Sequence, residues 1–146
     1  MKNTPKGWPR ISPAVFYDDG AAAIDWLCRA FGFEVRLKVV GDGGRIEHSE
    51  LTYGDGLIMA GTAGKPGRTS TASPKSLGGK ITQSLMLYVD DVDAHCARAR
   101  AAGATISIEP ADHDYGPDHW SDRSYGAIDP EGHHWWFSQR MRDKKE

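Results

Sequence analysis

The sequence is poor in cysteine. Its 146 residues include only Cys28 and Cys96, with no CxxC pair, which excludes a disulfide scaffold and a thiolate zinc site. Both fall in segments of helical pattern and read as small buried hydrophobes. Long apolar runs are missing too. Nothing approaches the roughly 20 residues that a membrane span requires, and no basic start leads into an apolar signal segment. A soluble, cytoplasmic protein with no membrane partner is expected. Neither sign of charge dominates, with 18 Lys and Arg against 20 Asp and Glu for a formal net charge of −2. That leaves no electrostatic footprint for nucleic acid. Phosphate-cradling loops are also lacking. Gly78-Gly79-Lys80 has neither the spaced first glycine nor the following Ser or Thr, and no GxGxxG opens a helix, so no cofactor is expected.

What is present is an ordinary globular composition, 39% hydrophobic. It suits a single domain, 1–146, burying roughly 70% of its unfolded surface. Residues 1–10 form a polar lead-in arm on which Trp8 could dock. Residues 11–17 have strand character and end at Asp18-Asp19-Gly20, a turn whose aspartates can cap a helix. Over 21–31 the apolar Ile24, Leu27, Cys28 and Phe31 share one helical face, and Gly32 supplies a stop. Strands follow over 33–40, 45–53 and 57–60, separated by glycine turns. Residues 62–80, made largely of Gly, Ser, Thr, Pro and Lys, read as a flexible connector. The order then restarts, with strands over 82–89, 104–109, 121–128 and 133–138 and a helix over 92–102.

This restart is a repeat. Val92 and Cys96 answer Ile24 and Cys28 at a distance of 68 residues, Ser84 answers Ser12 at 72, and Gly132 answers Gly56 at 76. Two copies make a duplicated half-domain and not a solenoid. Each copy has one helix to cover one sheet face, which leaves the second face as a natural cavity wall.

The stretches AAAIDWLCRAFGF after Asp19, HSELTYGDG, YVDDVDAHCARARAAGAT and DPEGHHWWF together resemble the vicinal oxygen chelate superfamily. That group includes glyoxalase I, bleomycin-resistance proteins, fosfomycin-resistance enzymes and extradiol dioxygenases. The likeness runs from Ile11 to Phe137 and implies an α+β fold of two βαβββ modules, 11–61 and 81–139, with curved mixed sheets around a cavity. It also implies a homodimer. In metal-dependent relatives His and Glu from the first and fourth strand of each module hold the ion. By the likeness those positions fall here on Ser12, Ala60, Ser84 and Trp136, an indole, a methyl and two neutral hydroxyls that cannot replace the ion's hydration. No metal is therefore expected. Glu50-Leu51-Thr52-Tyr53 resembles the stretch around a glyoxalase metal glutamate, but the repeat puts Glu50 before the Gly56 turn, on a third strand.

Period-two alternation places Ser49, Leu51 and Tyr53 under the helix and turns His48 and Glu50 toward the cavity, about 7 Å apart. There they either relay a proton and orient a polar ligand or make hydrogen bonds at the sheet rim. The same inward register selects Ala14, Phe16, Met86 and Tyr88. Trp136 would supply a stacking wall, unless it simply fills core. The segment 112–120, DHDYGPDHW, is dense enough in aromatic and charged residues to close over a ligand, with Tyr115 and Trp120 as contacts. Arg123 after it could clamp an anion or pair with a carboxylate. His113 and His119 have no compact ligand spacing with the neighbouring aspartates. His133 and His134 suit a turn or dimer contact, while Arg98, Arg100 and the tail 140–146 read as solvated charge.

The expectation is a metal-independent protein that sequesters an aromatic or amphipathic, antibiotic-like small molecule. Its ligand contacts would be Phe16, His48, Glu50, Met86, Tyr88, Tyr115, Trp120, Arg123 and Trp136. The alternative is a lyase, isomerase or dioxygenase using His48 and Glu50, with a rearranged metal site or as metal-free acid and base.

Overall fold

A computed structural model describes residues 1–145. Glu146, the end of the tail expected to be solvated, lies outside the described residues. The chain divides into two compact units, Met1–Gly78 and Gly79–Glu146.

In the first unit, β1 (Ala14–Tyr17) leads into α1 (Gly20–Phe31), then β2 (Glu34–Val40), β3 (Ile46–Tyr53) and β4 (Gly56–Thr62). The helix begins where Asp19 accepts the Ala22 N–H at 3.0 Å and ends where Gly32 turns left-handed at φ 84°. A Cβ on Gly20 would lie 2.7 Å from Thr62 Oγ1 and 3.0 Å from the Thr62 nitrogen, so glycine lets α1 start hard against β4. The sheet order is β1-β4-β3-β2, with β1 and β4 parallel and the other pairs antiparallel. α1 packs on β1 and β4. Between them Val15, Tyr17, Ile24, Leu27, Phe31, Leu51 and Ala60 are fully or nearly fully buried, the hydrophobic contribution that sets this face.

The second unit repeats the plan: β5 (Ser84–Tyr88), α2 (Val92–Ala101), β6 (Thr105–Asp114), β7 (Ser121–Ile128) and β8 (His134–Arg142). Its sheet order is β5-β8-β7-β6, again with one parallel pair, β5 and β8. Asp91 caps α2 through the Ala94 N–H at 2.9 Å. Val92, Cys96, Ala99, Tyr125, Trp135 and Phe137 form the core beneath α2. The fold is therefore α+β, two βαβββ modules each carrying a mixed four-stranded sheet.

Several expectations need correction. The segment 62–80, expected as a flexible connector, carries some regular structure, since β4 runs to Thr62 and a 3-10 turn forms at Pro74–Leu77 behind a fully buried Ser73. β6 and β8 outrun their expected ends at 109 and 138. Backbone pairing of Asp114 with Ser121 and of Ser121 with Arg142 draws the polar residues into the ladder. The lid segment 112–120 thereby shrinks to the tip 115–120. Arg140, read as solvated tail, is held by Asp122 instead. Ala60 is not on an open sheet face: it pairs with Val15 and is buried on the α1 side. Met59, which pairs with Ala14, occupies the open side at that level, as Trp136 does by pairing with Met86. The error lies in equating Gly56 with Gly132. Gly56 is itself a strand residue paired with Tyr53, whereas Gly132 sits inside the longer turn between Ile128 and His134.

Candidate functional site

The open face of the second unit holds a cavity of about 450 Å³. Alternation along each strand builds it. β5 supplies Met86 and Tyr88, β8 Trp136 and Ser138, β7 Asp122 and Ser124, and β6 His113. The tip of the β6–β7 hairpin adds Tyr115 and Trp120, whose rings lie 5.4 Å apart. Five of the nine expected contacts, Met86, Tyr88, Tyr115, Trp120 and Trp136, thus come together. The volume is that of a small-molecule site.

Beneath the rings runs a polar network. Arg140 Nε donates to Asp122 at 2.6 Å and its Nη2 donates to the Tyr88 hydroxyl at 2.5 Å, which in turn reaches the other Asp122 oxygen at 3.3 Å. The guanidinium lies over the rings of Tyr88 and Trp120, 5.2 and 5.6 Å from their centroids. The hydrogen bond with Asp122 pushes the Arg140 pKa further up. Ser124 and Ser138 share a hydrogen bond of 2.8 Å. Sequence reasoning missed Asp122, Ser124, Ser138 and Arg140. The signal was period-two spacing: Asp122 and Ser124 on β7 and Ser138 on β8 lie within the expected strands, and Arg140 continues the register of Trp136 and Ser138 beyond the expected end of β8.

Arg123 is not part of this wall. One residue on from Asp122, it points to the other side, where two nitrogens bind Asp93 and a third binds Asp112, each at 2.9 Å. Of the two roles expected for it, carboxylate pairing is the one realised. Its hydrogen bonds hold the Asp93 carboxyl below the usual range.

Phe16, His48 and Glu50 belong to the first unit. Glu50, 8% exposed, lies 3.2 Å from His48 Nε2 and accepts from Arg36 Nε at 2.7 Å. Hydrogen bonding from His48, followed by that from Arg36, holds the Glu50 carboxyl below its ordinary value. The arm closes this cluster, since Trp8 stacks on the Arg36 guanidinium at 4.7 Å and the Gly7 carbonyl accepts from the same group. A carboxylate that engages Nε2 fixes the orientation of the imidazole ring. Phe16 is half-buried beside Gly61 on the same sheet.

The first- and fourth-strand positions carry Ser12, Met59, Ser84 and Trp136. Ser12 Oγ is buried with no hydrogen-bond partner, yet a neutral hydroxyl beside a thioether supplies neither the charge nor the hard donors a catalytic divalent ion needs. His48 and Glu50 provide two donors, and Arg36 already occupies one carboxylate oxygen. Among the described residues no cluster of three or more His, Cys, Asp or Glu could hold a metal. The donor set does not fit a metal centre. No helix among them is long and apolar enough to cross a membrane.

Comparison with known proteins bears on this site. Residues 11–137 match the profile of the Glyoxalase/Bleomycin resistance protein/Dioxygenase superfamily. An uncharacterized protein of Mycobacterium bovis is 36% identical over 142 residues, covering 92% of this chain and 86% of its own length. Among solved structures, TioX from Micromonospora sp. ML1 is 34% identical with a TM-score of 0.69, covering 89% of this chain and 98% of that one. A glyoxalase/bleomycin resistance protein/dioxygenase family enzyme from Burkholderia phytofirmans, 22% identical, matches with a TM-score of 0.63 over 88% of this chain and 96% of its own. At that identity the likeness concerns the fold alone.

Proposed function

Because the chain belongs to the Glyoxalase/Bleomycin resistance protein/Dioxygenase superfamily, whose members share a frame and not a chemistry, we propose a function from the side chains on that frame. The protein is a metal-independent receptor of the bleomycin-resistance type, sequestering an aromatic or amphipathic small molecule in the cavity of its second unit. One observation carries the reading. Where metal-dependent relatives have a ligating carboxylate, Trp136 presents an indole, and Met86, Tyr88, Tyr115 and Trp120 surround the same space. Capture of a planar ring needs apolar area and stacking, which these groups supply. It does not need a Lewis acid.

The test is a titration with naphthalene and 2-naphthol followed by quenching of the five tryptophans. Saturable quenching is expected, with Trp136→Ala weakening affinity about tenfold, the scale of one lost stacking wall. A binding curve unchanged by that substitution removes Trp136 from the site and with it the reading.

A further inference from the structure

We propose that Asp122 sets the chemical class of the ligand: a neutral planar aromatic ring bearing an O–H or N–H donor. The inference rests on the receptor reading of the same cavity and narrows it. Asp122 is 7% exposed and lines the cavity. An ionised carboxylate is acceptor-only, with about four lone-pair positions to fill. Two are filled from within the unit, by Arg140 Nε at 2.6 Å and by the Tyr88 hydroxyl at 3.3 Å. The second contact is long for an O–H donor. Acceptor capacity is left over in a wall that also carries Tyr88, Tyr115, Trp120 and Trp136.

Charge then selects among donors. A carboxylate under aromatic rings would ordinarily favour a cation, but here the cation is built in. Arg140 pairs with Asp122 and lies over Tyr88 and Trp120, so a second positive group would meet the guanidinium. An anionic ligand would meet the Asp122 carboxylate, which repels it and has no donor to offer. The Ser124–Ser138 hydroxyl pair can donate or accept and does not alter the ranking. A neutral ring with a phenolic, indolic or amide-type hydrogen is the remaining class, able to stack on Trp136 while its donor reaches Asp122.

The experiment is calorimetric titration of the full chain with 2-naphthol, naphthalene and 2-naphthoate, which share a ring system and differ in the group offered to Asp122. 2-Naphthol should bind at least about tenfold tighter than either of the others, as a hydrogen bond to a charged acceptor implies. In Asp122→Asn that preference should fall to within about twofold. Because the substitution also releases Arg140, the wild-type series is decisive by itself. Equal affinities for 2-naphthol and naphthalene overturn the role of Asp122 while leaving the receptor reading intact. Tightest binding of 2-naphthoate overturns it in favour of Arg140 as the reader. No heat or quenching with any of the three overturns both.

Discussion

The two units share a strand order and a helix position, yet their open faces have diverged in a way that one pair of residues captures. In the first unit Glu50 precedes Leu51, whose partner is Ile58; in the second Gly126 precedes Ala127, whose partner is Trp135. Glu50 anchors an ionic cluster with His48 and Arg36. At the corresponding place Gly126 has no side chain, and the Trp136 ring lies 3.6 Å from where its Cβ would be. The backbone frame is common property, and the loss of one side chain makes room for an indole. Duplication thus separates what holds the sheet from what the sheet presents.

Importing the first unit's residue is the most direct way to break that comparison. In Gly126→Glu the new Cβ would sit 2.7 Å from Ser107 Oγ, which a serine rotation relieves, while the carboxylate projects into the space of the Trp136 ring. Aromatic binding should fall below detection, with a circular dichroism spectrum still showing the folded state. Retained affinity for naphthalene would mean that the ligand does not use the wall beside Trp136.

A middle-sized effect is expected in the first unit, where the contrast is ionic. The carboxyl of Glu50 is held below its unfolded value by hydrogen bonds from His48 and Arg36. Its stabilising contribution is therefore complete above the ordinary glutamate pKa of about 4.3 and disappears as pH falls through the folded-state value. Glu50→Gln should melt several degrees below wild type at pH 7, and the gap should narrow as the solution is acidified below the ordinary glutamate range. A gap that persists in acid would assign the loss to packing and not to the carboxylate charge.

The frame was legible because it is written in period and spacing. Ile24, Leu27 and Phe31 fall under the helix as expected while Cys28 is only half-buried, the Asp19 cap holds, and the 72-residue step from Ser12 to Ser84 reports true equivalence. What failed were places where local composition and tertiary pairing disagree. Asp112, His113 and Asp114 look like loop residues, but cross-strand hydrogen bonding to β7 makes them strand. Arg140 looks like solvated tail until its partner Asp122, 18 positions earlier, is brought beside it. Equating two turn glycines cost one residue of register, and in a strand one residue is the opposite face. That slip put Ala60 where Met59 stands. It left the conclusion about donors unchanged, since neither residue is a hard ligand.

The smallest effect concerns how the second unit keeps the aromatic tip of its β6–β7 hairpin in place, where the corresponding β2–β3 connection of the first unit is a short glycine turn with a 3-10 segment at Asp42–Gly44. Arg142, at the end of β8, donates to both oxygens of Asp114 at 3.1 and 2.7 Å and to the Gly116 carbonyl at 2.9 Å. Its hydrogen bonds, with that from the Gly116 N–H, hold the Asp114 carboxyl below its usual range. Both side chains are well exposed, so the pair adds little to global stability. What it restrains is the hairpin that carries Tyr115 and Trp120. Arg142→Ala should leave the melting temperature nearly unchanged and let the tip open more often. Stopped-flow quenching should then show 2-naphthol leaving about two- to threefold faster at an unaltered association rate, because ordering of a closing element is expressed mainly in dissociation. A change confined to association would place the tip outside the bound complex and leave the strand-borne rings to hold the ligand alone.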